Sequence, residues 1–354
     1  MNRLSLYVSR TVFFAILAVL SVVVAFDVMA AIIDGVTDLK GDYRFPDVLA
    51  YVFTTLPGRI YENIPFAVLI GCLVGLGLLA SNSELVVMRA AGVSLLRIVV
   101  FVLQPVLLFI LVGALLGEYA VPYTEQLAEG RKTLLQGSQK RLAASGLWNR
   151  EGDEFIHVNV VFPGGDLVGV SRYKFSDGEE LALEEASFAE SARFLGDRWQ
   201  ERDVAVTTFS EEGTQVEQVA TRTWQSNLSP GLMRLGLMEA DSLPISELYQ
   251  YAQYLERQEQ SAGRHWLAFW SKTLQPLTTL SLVLIAVSFI FGPLRESTTG
   301  LRIFAGVITG IVFNTFQDLL GPASLVYGFA PFWAVLVPIL VSMVFGMLLL
   351  RRAG

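Results

Sequence analysis

The residues able to carry chemistry are few, and their neighbours decide what they can do. Five lysines occur, Lys40, Lys132, Lys140, Lys174 and Lys272, preceded by Leu, Arg, Gln, Tyr and Ser. A phosphate-cradling P-loop needs Gly directly before its Lys, so no Walker-type ATPase site is present. The two histidines, His157 and His265, stand far apart without an HExxH context, and His157 falls on the polar face of an expected strand, which suits a solvent-facing residue better than a metal ligand. Ser281 and Ser288 lie in an apolar run with no accompanying His and no GxSxG, which leaves a hydrolase without nucleophile and base. Serines so placed bond back to their own helix. No catalytic residue and no metal site is expected.

Charge inside apolar runs is scarce and therefore informative. Asp27 lies within the first such run, Glu62 and Glu118 at the ends of others, and Asp318 near the end of the fifth. The three end positions read as interfacial carboxylates. Asp27 is deeper, so it either packs inside a bundle or lines a wet cavity, and one such acid is too little for a proton relay.

These residues must be positioned by membrane-spanning helices. The 354 residues are 53% hydrophobic and 17% charged, with mean hydropathy +0.51; soluble domains carry about 25% charge. Runs near the ~20 residues that cross the hydrocarbon core extend over Val12–Ile33, Ile64–Ala80, Ile98–Gly117, Thr273–Leu294, Ile303–Gln317 and Leu319–Leu350. The last is too long for one helix, and Gly321-Pro322 and Gly328 to Pro331 should break it, ending the fifth span near Leu320 and starting the sixth near Phe332. Arg3 and Arg10 before the first run, with Val28-Met29-Ala30 after it, imitate a cleaved signal peptide, but Asp27 and the apolar Ala31 to Ile33 argue for a retained helix. The short loops holding Arg89, Arg97, Arg295, Arg302, Arg351 and Arg352 place both termini in the cytoplasm.

Between the third and fourth runs the character changes. Pro122 to His265 holds 14 Lys and Arg against 23 Asp and Glu, a balance of −9 that makes nucleic-acid binding a poor fit. Ile156, Val158 and Val160 alternate with His157 and Asn159, Val204 and Val206 alternate with Ala205 and Thr207, and turn signals recur at Pro163 to Asp166, Ser176 to Gly178, Leu195 to Asp197 and Glu212-Gly213. This is the pattern of a sandwich or jelly-roll-like β domain from about Leu147 to Trp224. Ser246 to Glu259 then reads as an amphipathic helix leading to the interfacial anchors Trp266 and Trp270. The one cysteine, Cys72, lies in the second span, so no internal disulfide framework exists. The expected layout is an α-helical membrane protein of six transmembrane helices: spans one to three in 1–121, an inserted periplasmic jelly-roll-like β domain in 122–265, and spans four to six in 266–354. GxxxG spacing at Gly71/Gly75, Gly113/Gly117 and Gly306/Gly310 reads first as packing within the bundle.

One stretch, Ser81-Asn82-Ser83-Glu84-Leu85-Val86-Val87-Met88-Arg89-Ala90-Ala91-Gly92, is half-polar and lies between two spans. Ser81 to Glu84 has the form of a capping box, and the apolar residues beside one acid and one Arg suit a groove in another protein. This stretch, with Trp270-Ser271-Lys272-Thr273-Leu274-Gln275-Pro276-Leu277 and Ser288-Phe289-Ile290-Phe291-Gly292-Pro293-Leu294-Arg295, resembles the lipopolysaccharide export permease family, and the resemblance covers essentially the whole chain.

The resemblance implies a permease subunit of an ABC transporter that draws lipopolysaccharide from the inner membrane of a bacterium. It implies a sister subunit of the LptF type, two copies of the ATPase LptB, which would bind the ATP and Mg while this chain holds no cofactor, and transfer to the bridge proteins LptC and LptA. It places Glu84, with Met88 and Arg89, in an ATPase-coupling helix near 81–97. It implies a lateral gate between the first span of one subunit and the fifth of the other, with Gly306, Gly310, Phe313, Phe316 and Gln317 as candidates, and lipid-phosphate contacts for which Lys40, Arg44, Arg131 and Lys132 are the nearest cations. The family often carries a further basic residue toward the outer end of the first span, where this chain has Val28 to Ile33. An envelope sensor or scaffold with a ligand-binding β domain is the competing reading, but only Arg351 to Gly354 follows the last span as a cytoplasmic output segment.

Overall fold

A computed structural model of the chain describes residues 2–39, 43–135, 147–161, 166–176, 182–210, 213–226, 228–291 and 297–351. These form two compact units, Met1–Glu129 with Gly263–Gly354, and Gly130–Ala262.

The first unit is helical. Its elements are α1 (Asn2–Thr37), α2 (Phe45–Thr54), α3 (Leu56–Ser81), α4 (Glu84–Ala90) and α5 (Leu95–Leu115), whose π-helical turn Leu116–Ala120 runs into α6 (Val121–Leu135). After the second unit come the long helices Gly263–Phe291, Thr299–Tyr327 and Pro331–Arg351. Six helices are long and apolar enough to cross a membrane. The third runs on through Pro122, so the second compact unit begins at Gly130 rather than at Pro122.

The helix Thr299–Tyr327 is likewise unbroken at Gly321-Pro322, against expectation, and ends at Gly328 with φ +72. Proline removes a donor from a helix, but within an apolar span no water competes for the freed backbone groups, and side chains can restore bonding. The carbonyl that Pro322 leaves without its usual donor is that of Asp318, and Ser324 Oγ donates within the same stretch to the Gly321 carbonyl at 2.6 Å. The second, third, fourth and sixth spans also carry an internal proline, at Pro65, Pro105, Pro276 and Pro338.

Burial is uneven. The apolar windows of α3 and of Gly263–Phe291 are 61% and 67% buried, whereas those of α1 and Thr299–Tyr327 are each 17% buried. The first pair forms the centre and the second pair the flanks. The glycine pairs set the distances: Gly71 and Gly75 lie on the backbone of Ile16 and Val12 in α1, and Gly306 and Gly310 on Leu73, Leu69 and Phe66 of α3. These are contacts between spans of this chain, as the packing reading of the spacing expected. Ser281 and Ser288 each donate to a carbonyl three residues back in their own helix.

The second unit carries one antiparallel sheet in the order β1 (Leu147–Glu151), β2 (Glu154–Val161), β3 (Leu167–Phe175), β4 (Leu183–Phe194), β5 (Trp199–Ser210), β6 (Gly213–Trp224). The ladder skips one line of residues, Asn159, Gly169, Glu190, Asp203 and Ala220. Gly169 has φ +68 and Asp203 φ +52. Across that line the buried side slips by one residue: Val170, Ala189 and Val204 on one side, but Leu167, Ala192 and Glu201 on the other. The sheet is therefore creased and folded over itself.

Ion pairs show the fold directly. Arg172 stands in register with Ser187 and, through it, Val206, yet its Nη1 lies 3.1 Å from Glu201, five residues away on β5. Five strand residues span about 16 Å, a gap only folding closes. Arg172 also pairs with Glu154 at 2.5 Å, and Arg222 with Glu185 at 2.6 Å. Burial raises the Glu201 carboxyl above the usual range, while the Arg172 guanidinium pulls it back down. Two short helices, α7 (Pro230–Leu237) and α8 (Ile245–Arg257), complete this unit, with Leu248, Tyr251 and Leu255 buried and Tyr254 accepting from Asn149 Nδ2 at 2.9 Å. Gly263–Phe291, Thr299–Tyr327 and Pro331–Arg351 are called α9, α10 and α11 below.

Candidate functional site

The short helix α4 is held between α3 and α5 and presents two faces. Leu85 and Met88 are buried at 4% and 7% exposure and join the helical core. Val86, Val87 and Arg89 face outward, the two valines 67% and 65% exposed. Met88, expected on the docking surface, thus points into this chain, and the outward apolar residues are the two valines that sequence reading passed over. With Leu85 and Met88 buried, residues one and two positions further on fall on the opposite side.

The capping box is not formed. Ser81 is still the last residue of α3 and donates to the Leu78 carbonyl at 2.9 Å, and the cap of α4 is Ser83, held at φ +59 without a side-chain cap bond. Glu84 Oε1 instead accepts from Asn82 Nδ2 at 3.3 Å and from the Tyr7 hydroxyl of α1 at 3.2 Å. The acid is thereby freed from capping and tied to another helix.

On α10 the candidate residues divide between two faces. Gly306, Gly310 and Phe313 lie inward, the first two against α3 and Phe313 only 9% exposed. Phe316 is on the other side with Leu301, Phe304, Ile308, Ile311, Val312 and Leu319, all large, apolar and exposed. Gln317, seven residues from Gly310 and so in line with the inward residues, is half-buried. Exposure of this extent is what a lipid-facing or partner-facing helix surface requires. The helix α1 has a comparable face in Leu6, Phe14, Leu17, Phe26, Met29 and Ile33.

Three of the four basic candidates fall among the described residues. Lys40 lies outside the described residues. Arg44 is exposed at the start of α2, where its backbone N–H donates to Asp47 Oδ2 at 3.1 Å. Arg131 is exposed and Lys132 half-buried on α6. A cation that sequence reading passed over stands deeper: Arg59, in the first turn of α3, places Nη1 2.9 Å from Asp27 Oδ2 of α1. Asp27, expected to pack inside a bundle or to line a wet cavity, is paired, and the pairing was findable, since an Arg near the start of the second span can face an acid near the end of the first.

The family model described as "Lipopolysaccharide export system permease LptF/LptG" matches residues 6–352. The chain is similar to the lipopolysaccharide export system permease protein LptG of Escherichia coli strain K12, with 33% identity over 341 residues, 94% of this chain and 93% of the relative. It is similar also to the protein of the same name from Haemophilus influenzae, with 31% identity over 357 residues and 99% of both chains covered.

Proposed function

Because this chain belongs to the LptF/LptG family of lipopolysaccharide export permeases, we propose that it is the non-catalytic membrane subunit through which a separate ATPase drives lipopolysaccharide out of the inner membrane. The observation that carries this reading is α4: seven residues between two spans, an outward Val86-Val87 pair, an exposed Arg89 and a carboxylate not used for capping. An apolar patch flanked by opposite charges is a docking surface for a soluble partner, and a chain without a P-loop needs one to use ATP.

In this reading α4 seats one copy of an LptB-type dimer, with both termini and α4 in the cytoplasm and the folded sheet in the periplasm. A sister permease of the LptF type covers the exposed faces of α1 and α10, and lipopolysaccharide enters between spans of the two subunits. The folded sheet passes the lipid toward LptC and the LptA bridge, and strand-edge pairing supplies such a joint. The outward face of α10 borders the lipid path, while Gly306, Gly310 and Phe313 hold α10 to α3. Arg44, Arg131, Lys132 and Lys40 are the cations available for lipid phosphates, where charge-assisted contacts form readily.

Two measurements test this. Glu84→Ala should reduce ATPase recovered with the affinity-purified chain by about tenfold, the scale of one hydrogen-bonded charged contact, whereas Ser81→Ala, which touches only the end of α3, should leave recovery unchanged. Equal recovery of ATPase with both variants would falsify the docking role. A photoreactive residue at Phe316 should capture lipopolysaccharide in energised membranes, and one at Phe313 should capture this chain's own second span. Capture of bulk phospholipid alone at Phe316 would remove the α10 face from the lipid path.

A further inference from the structure

The N-terminal third of α1 is fastened to the elements around α4 on three sides. Tyr7 reaches Glu84 of α4, its hydroxyl 3.2 Å from Oε1. Ser5 and Ser9, one turn apart, both approach Gln104 Oε1 of α5, at 3.1 and 2.8 Å. Ser9 Oγ is also 2.8 Å from the Phe101 carbonyl, so its one proton serves either acceptor. Val12 and Ile16 then meet Gly75 and Gly71 of α3 at backbone distance.

These contacts differ in kind. The glycine packing and the Ser9 bond tie α1 to long helices, while Tyr7 alone among the described hydrogen bonds joins α1 to α4. Its acceptor is the one carboxylate on α4, at the first residue of that helix. A displacement of α4 alters the Glu84 position first, and any change there pulls on the Tyr7 hydroxyl.

We propose that Tyr7 is a positioning residue for transport, carrying displacement of α4 into the first span through the Tyr7–Glu84 hydrogen bond. This rests on the reading of α4 as the seat of the ATPase. It assigns the first span, whose remaining surface is open and apolar, as an element that α4 moves directly, without a relay through the core.

Tyr7→Phe tests it, because the ring and its packing stay and only the donor is lost. The complex purified with its ATPase is placed in proteoliposomes containing lipopolysaccharide, and both ATP hydrolysis and lipopolysaccharide extracted are measured. Hydrolysis should stay within about twofold of the parent while extraction per ATP falls about fivefold, the size of one hydrogen bond's contribution. An unchanged ratio in Tyr7→Phe overturns the proposal, as does an equal fall in both quantities, which marks general damage. If the parent chain recovers no ATPase, the docking reading fails and Tyr7 with it; if the parent couples normally and Tyr7→Phe does too, Tyr7 alone is refuted.

Discussion

Gly71→Leu is expected to separate the first span from the second and to remove most of the folded protein. A Cβ at Gly71 would overlap the Cα, the amide nitrogen and the side chain of Ile16. Two of those atoms are backbone, so no rotamer change relieves the clash, and one whole helix must shift. Overpacking in a dense interior costs about 1–3 kcal/mol even where side chains can yield, and here they cannot. Gly113→Ala is the comparison: its Cβ would meet only the flexible end of Ile64, at 3.0 Å, and its cost should stay near ~1 kcal/mol. Thermal aggregation of the detergent-purified chain ranks the two. Equal melting of Gly71→Leu and Gly113→Ala would show that α1 does not rely on backbone contact with α3.

That contrast also shows what the sequence made legible. GxxxG spacing announces close approach but not the partner, because a glycine marks only its own side of a contact. Hydropathy placed six spans, since crossing an apolar layer needs a long uncharged helix whatever its neighbours. The end of the fifth was misjudged because Pro322 reads as a breaker in water, while in an apolar span no water competes for the backbone and the helix runs on to Tyr327. The alternation in β2 to β5 marked a β domain, but a crease set by left-handed residues at Gly169 and Asp203 inverts the pattern halfway along each strand. No period-two count anticipates that slip. It explains how one meander yields the two opposed apolar layers that the sequence pattern suggested.

The candidate site was legible to a different degree in each part. Glu84 was singled out by the family resemblance, while its neighbours in sequence gave only the form of a capping box. Its role was obscured by Ser81, since a serine three residues before a glutamate fits a capping box unless the preceding helix has already claimed it. Met88 and Phe313, named on the resemblance, both point inward. Which side of a helix faces the core depends on tertiary neighbours, and neither helix has a polar stripe strong enough to reveal it. The outward faces of α1 and α10 became visible only once burial was known, as the two most exposed spans of the six.

Asp27→Ala should loosen the opposite end of the same helix pair. Asp27 and Arg59 face each other at 2.9 Å with side-chain exposures of 36% and 20%, and Arg59 Nε has no hydrogen-bond partner. Removing the acid leaves a largely buried guanidinium without its ion-pair partner. A fully buried orphaned charge costs about 3–5 kcal/mol, and partial exposure reduces that to about 2 kcal/mol here. The alternative change, Arg59→Ala, leaves a carboxylate that reaches solvent more readily and should cost less. Exchanging the two, Asp27→Arg with Arg59→Asp, restores attraction in the same place and should recover most of the lost stability. Because Gly71 and Gly75 hold the other half of α1 to α3, and Gly35 packs on Val48 of α2, the single variants should still insert and fold, with the C-terminal half of the first span less firmly held to α3. If that span borders the lipid path, Asp27→Ala raises ATP hydrolysis per lipopolysaccharide extracted, and the exchanged pair returns it toward the parent ratio. Failure of the exchange to restore either stability or ratio would mean that the position of each charge matters, and not their attraction.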